Sequence, residues 1–233
     1  MKSNFNSELL LCNVPVIIID KRGGSYTLIL PTLRDKLENL DYDVFISFCA
    51  ADLTEVNSKM GTNFEDRFSM FKMCKKNNAD VLPTLNKFFN KFMVGFKYVD
   101  DSLYWGNRLV GKEIFEAFCN YVAIAAGVKS LKSLDWIITD DMDEFEKKRI
   151  LMERKIQATK NKGTETEQKA LDIVISSVIK EFGYHYTDLL DMTLYSIYFM
   201  YSLLGSIMNY EVGNIAAGNG LLNKQNRHNH WGY

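Results

Sequence analysis

Apolar residues recur at three- and four-residue spacing through most of this chain, and no other feature constrains its fold as tightly. Val44, Phe45, Phe48 and Cys49 follow Asp41 at that spacing, and Phe64, Phe68 and Phe71 repeat it over 64–74. Leu85, Phe88, Phe89 and Phe92 form a third set, and Ile114, Phe115, Phe118, Val122 and Ala125 a fourth over 113–126, closed by Gly127. Each set lands on one side of a 3.6-residue helix and predicts an amphipathic element.

The same period continues in the second half. Leu171, Ile175, Val178, Ile179 and Phe182 mark a helix over 168–182 that Gly183 stops. A short turn is predicted over 188–192, opened by Thr187. Thr193 then caps the longest helix, 194–217, with Leu194, Ile197, Tyr198, Tyr201, Leu204, Met208 and Ile215 as its inward stripe. Thr32, with Asp35 three residues on, opens a shorter helix over 33–39.

Two stretches have the period of strands. Residues 14–20 and 26–30 flank Gly23-Gly24, with Tyr26, Leu28 and Leu30 on one face, and read as a hairpin. Residues 93–99 look β-like and Asp100-Asp101-Ser102 is a turn. Residues 103–105 and 108–110, joined at Gly106-Asn107, form a second small hairpin. The expected fold is therefore mainly α with two small β-hairpins in the N-terminal half (α+β) and an all-helical C-terminal half. Three regions are expected: a mixed α+β domain over 1–135, a helical region over 136–217 and a polar tail over 218–233. Residues 131–138 read as a connector with Trp136, and 161–167 as a polar linker containing Gly163.

Composition excludes several functions. Net charge is −1, so no overall field draws the chain to nucleic acid or an anionic membrane. Lys72, Lys75 and Lys76 make one basic cluster, and Lys147, Lys148 and Arg149 another that neighbouring acids offset. Cys12, Cys49, Cys74 and Cys119 lack zinc or redox spacing, and the last three sit among apolar residues as buried thiols. Residues 194–210 carry too many serines and too close a Glu211 to span a membrane. Residues 1–7 lack the basic start and apolar core of a signal peptide.

No constellation supplies chemistry. Asp140, Asp141, Asp143 and Glu144 crowd together, but Asp141-x-x-Glu144 fits a helix capping box, with Asp140 or Asp141 as the cap. Gly218-Asn219-Gly220 reads as a helix C-cap and not a phosphate loop, since no Gly-Lys-Ser/Thr follows. Glu38, Asp41 and Asp43 read as solvated turn and cap residues. His185 is isolated between two tyrosines, and His228 and His230 have no further ligand near them in sequence. No cofactor or metal site is expected. The 12 Tyr, 15 Phe and 10 Met are the more informative residues. Tyr195, Tyr198, Tyr201 and Tyr210 cannot share one helix face, and Tyr195 and Phe199 lie off the inward stripe. Either a second helical layer covers them or they serve an interface.

Two segments carry a resemblance. Residues 26–35 (YTLILPTLRD) running into 41–45 (DYDVF) resemble the opening of tail and baseplate proteins of long-tailed bacteriophages. Residues 186–195 (YTDLLDMTLY), the small-residue ending at Ala216-Ala217-Gly218 and the late Trp231 are similar to phage tail assembly chaperones and baseplate hub assembly proteins. Residues 57–135 have no counterpart. The resemblance implies a non-enzymatic assembly protein acting in the host cytoplasm during tail morphogenesis and binding hub or tape-measure subunits. The contact elements would be the last helix and the tail after Gly218, with Tyr195, Phe199, Tyr210 and Trp231 as partner-binding residues. A permanent subunit of the virion is the alternative, and an enzyme using Asp140, Asp141 or His185 a further one.

Overall fold

The computed structural model describes residues 2–3, 11, 14–20, 22–129, 142–163 and 170–218, without side chains at 2–3, 154–163, 213 and 216–218. The fold is mainly helical, with two small antiparallel sheets in the N-terminal half and helices alone in the C-terminal half. Two compact units emerge. The first is Met1–Gln168 with Leu190–Ser196; the second is Lys169–Leu189 with Ile197–Tyr233.

In the first unit, β2 (Val16–Ile19) pairs with β3 (Ser25–Leu28), Val16 opposite Leu28. β1 (Lys2–Ser3) adds a third strand to the expected hairpin. Val16, Ile18, Tyr26, Leu28 and Leu30 are all buried, as their alternation predicts. Asp20 builds the turn: its Oδ1 accepts the Arg22 and Gly24 amides at 2.8 and 2.7 Å, and the Tyr26 hydroxyl donates to Oδ2 at 3.0 Å. Burial opposes the ionised carboxylate, yet these donors hold its pKa below the ordinary value. At Gly24 a Cβ would lie 2.5 Å from both Asp20 Oδ2 and Arg108 Nη1, so a larger residue would displace the carboxylate that builds the turn.

Helix α1 (Leu33–Glu38) begins with the capping box that Thr32 and Asp35 predict. The Thr32 amide donates to Asp35 Oδ2 at 2.8 Å, and Lys91 pairs with the other Asp35 oxygen. α2 (Tyr42–Ala50) buries Tyr42, Phe45, Ile46, Phe48 and Cys49, whereas Val44, expected inward, is exposed. α3 (Leu53–Met60) is a helix that its apolar pattern does not announce, since it buries no residue. Its ends define it: Asp52 accepts the Thr54 amide at 2.9 Å, and Gly61 closes it at φ 63°. α4 (Arg67–Lys76) starts three residues after Phe64, because Asp66 caps it by accepting the Ser69 amide at 2.6 Å. α5 (Leu82–Phe92) follows, with Pro83 in its first turn.

The second sheet is larger than the expected hairpin. β4 (Phe96–Val99), β5 (Ser102–Trp105) and β6 (Arg108–Leu109) form a three-stranded meander. Asp100 and Asp101 both take positive φ, 48° and 58°, the conformation a tight two-residue hairpin turn demands. α6 (Lys112–Ala125) departs most from a one-sided reading. It packs against both α2 and α4, and every residue over 117–126 is buried. Phe89 of α5 sits among the rings of Phe45, Phe48, Phe71, Phe96, Phe115 and Phe118, with centroids 5.2 to 6.2 Å away. Such mutually tilted and edge-on rings add to the area they bury.

α7 (Glu144–Gly163) is capped by Asp143, whose Oδ1 accepts the Glu146 amide at 2.7 Å. The cap thus belongs to Asp143 and not to Asp140 or Asp141, which lie outside the described residues, as do Trp136 and Cys12. The helix also continues through 161–163, the first part of the expected linker. In the second unit, α8 (Leu171–Phe182) ends at Gly183 with φ 71°, as expected. It buries Val174, Ile175 and Val178, but its expected inward residue Phe182 is exposed. α9 (Tyr186–Leu190) starts earlier than the turn predicted there, and α10 (Leu194–Gly218), the longest described helix, has its first turn in the first unit and the rest in the second.

Candidate functional site

The site that departs most from an ordinary folded surface is the outer length of α10. Its start is well fixed: Thr193 Oγ1 accepts the Ser196 amide at 3.1 Å, and both side chains are buried. Leu194, Ile197 and Leu204 of the inward stripe are buried, as the spacing predicts. Beyond Leu204 the same stripe runs on without cover among the described residues. Met208, Val212 and Ile215 stand 64, 64 and 65% exposed, so Met208 and Ile215, expected inside, are outside. At 100° per residue these three fall beneath Leu204 on one line. Full burial of each would stabilise a complex by roughly 1.5–3 kcal/mol.

A second apolar ridge lies on another side of the helix. Phe199, Leu203, Ile207 and Tyr210 are all exposed and share one face by helical spacing. Tyr195 falls near the same line and is half-buried. The aromatic residues expected off the main stripe thus align with two aliphatic side chains that sequence reasoning passed over. Trp231, the fourth expected contact residue, lies outside the described residues.

Two serines on the outer length of α10 bond to their own helix. Ser202 Oγ donates to the Phe199 carbonyl at 2.7 Å, and Ser206 Oγ to the Ser202 carbonyl at 3.5 Å. Hydroxyls bonded to their own helix lose little when a partner covers them. Glu211 is the one acidic residue over 194–218, and no Lys or Arg occurs there. The arrangement offers apolar area with almost no charge to desolvate.

The residues considered for catalysis do not converge among the described ones. His185 is exposed, and its amide donates to Asp188 Oδ2 at 2.9 Å, a helix-start contact for α9. Asp143 is engaged in capping. His228 and His230 lie outside the described residues. Among the described residues no group of three or more His, Cys, Asp or Glu could hold a metal ion, and no helix is long and apolar enough to cross a membrane.

Sequence reasoning missed a buried ionic cluster in the first unit. The Arg67 backbone amide donates to Glu116 Oε1 and Arg67 Nη1 to Oε2, each at 2.5 Å. Nη2 donates to the Ala51 carbonyl at 3.2 Å, and Nη1 reaches Asn120 Oδ1 at 3.4 Å. Lys129 Nζ donates to the same Asn120 oxygen at 3.1 Å. Arg67 Nε has no hydrogen-bond partner among the described residues. Burial and the coulombic push of Arg67 lower the Lys129 pKa to about 7, against the pull of Glu116. Burial likewise pushes the Cys119 thiol up, and its neighbour Cys49 adds to the effect. One signal was present in the sequence: Glu116 and Asn120, four apart, interrupt an otherwise apolar run over 114–126.

Comparison with protein-family models finds no match to this chain, and neither do comparisons with curated proteins and with solved structures.

Proposed function

We propose that this protein works by binding other proteins, without catalytic chemistry, and that the outer length of α10 is its contact surface. One observation carries the reading: the stripe that buries Leu194, Ile197 and Leu204 continues through Met208, Val212 and Ile215 with nothing among the described residues covering it. A helix with apolar residues at three- and four-residue spacing and few charges suits a groove or a facing helix on a partner. Phe199 and Tyr210 supply aromatic anchors on the second ridge, and aromatic residues dominate binding energy where they become buried.

The finer form of the proposal is an assembly protein of a long-tailed bacteriophage. It would act in the host cytoplasm and hold apolar surfaces of hub or tape-measure subunits until the tail or baseplate is built. Its support is the pair of sequence segments at 26–45 and 186–231, the second of which contains α10. The test is affinity capture of the tagged full chain from its native expression context, read by mass spectrometry and repeated on purified particles. Tail proteins in lysate, with the chain missing from particles, is the expected result. The chain at fixed stoichiometry in particles would make it a permanent subunit. Absence of tail proteins from both would reject the phage reading. Capture undiminished by Met208→Ser, Val212→Ser and Ile215→Ser together would reject α10 as the surface.

A further inference from the structure

The turn that closes α6 folds Lys129 back onto the buried side of that helix. The Val128 and Lys129 amides both donate to the Ala123 carbonyl, at 2.9 and 3.2 Å. Nζ then meets Asn120 Oδ1, the oxygen that Arg67 Nη1 also approaches. The Lys129 amine and the Arg67 guanidinium therefore share one amide oxygen. The Arg67 and Glu116 side chains are only 8 and 15% exposed, so water screens the pair weakly. Among the described residues, the charged and titratable groups that act on Lys129 are Arg67 of α4, Glu116 and Cys119 of α6, and Cys49 of α2. Glu116 is already committed through both oxygens to Arg67. The Ala51 carbonyl at the end of α2 is also taken by Arg67. A protonated Lys129 on Asn120 Oδ1 would therefore face the Arg67 guanidinium across that one oxygen, with the Glu116 charge already spent on Arg67.

We propose that Lys129 is a proton-sensitive latch: as a neutral amine it docks on Asn120 and holds the closing turn of α6, and as an ammonium it leaves the Arg67–Glu116 site and lets that turn open. A docked Lys129 titrates at about 7, whereas a released one regains its ordinary 10.5. The open form therefore takes up protons more readily across that window. Opening rises as pH falls from 10.5 towards 7 and levels off below it. The turn responds because Lys129 donates from both its amide and its side chain, and both contacts end on α6 itself.

Hydrogen exchange at the Val128 and Lys129 amides of the full chain tests this. The readout is the protection factor, corrected for the intrinsic pH dependence of exchange. In the wild type, protection should fall on the order of 100-fold between about pH 9 and about pH 6. Lys129→Met keeps the apolar stem and removes the titrating group, so its protection should stay level. Wild-type protection that is unchanged over this range would overturn the latch, as would an equal loss in Lys129→Met. A direct titration of the Lys129 side-chain carbon signal in the wild type needs no variant: a midpoint near 10.5 would sink the proposal, and one near 7 would uphold it.

Discussion

The aromatic core of the first unit and the helices of the second treat their apolar side chains in opposite ways. In the first, Phe89 and its ring of aromatic neighbours are sealed, and α6 is buried on all sides from Ala117 onward. In the second, α8 and α10 bury a few aliphatic residues while Ile173, Phe182, Ile207, Met208, Val212 and Ile215 face outward. Apolar content alone does not separate these regions. What separates them is whether neighbouring elements surround each face. A sealed apolar side chain contributes to folding stability, whereas an uncovered one contributes only when a partner arrives.

Mutations can break or sharpen that contrast. The largest effect is expected for Phe89→Ala, which removes the ring at the centre of the first unit and leaves a cavity. The cost should be roughly 3–5 kcal/mol, read as a shift in denaturant midpoint. A cost below 1 kcal/mol would mean that the aromatic core is loosely packed. Glu116→Ala comes next. It leaves Arg67 buried without its carboxylate, and a loss of about 3 kcal/mol is expected in the same assay. Thr193→Ala removes the α10 cap and should cost about 1 kcal/mol, a change visible in thermal unfolding. The smallest effect on stability is expected at the uncovered stripe. Met208→Ser, Val212→Ser and Ile215→Ser should each change folding by less than about 0.5 kcal/mol. Each should nonetheless weaken partner capture. A large stability loss there would mean that the stripe is core after all, and the contrast between the units would fail.

The local elements behind this contrast are legible in the sequence, and the illegible parts share a cause. Periodicity located α2, α5, α6, α8 and α10, and cap chemistry placed the starts of α1 and α10 at Thr32 and Thr193. Periodicity reports which residues share a face. It does not report how many faces find a neighbour. The spacing therefore points Val44 inward where it is exposed, makes α6 one-sided where most of it is enclosed, and carries through Met208 and Ile215 a core that stops at Leu204. α3 escaped notice because it buries nothing, so no stripe marks it. The candidate surface was half legible. Tyr195, Phe199 and Tyr210 stood out as aromatics off the stripe, but Leu203 and Ile207 joined their ridge only once exposure was known.

By itself the sequence determined the local elements: the helical stripes, the Gly23-Gly24 hairpin, the caps and the predominance of helix. These follow from backbone stereochemistry and hydrogen bonding within a few residues, which the side chains of those residues control directly. Only the tertiary structure decided that Arg67, Glu116, Asn120 and Lys129 meet in one buried cluster, although up to 62 positions separate them in the chain. It alone decided, too, where the α10 stripe passes from covered to bare. Burial depends on what packs from elsewhere in the chain, and no local pattern encodes the arrival of a distant neighbour.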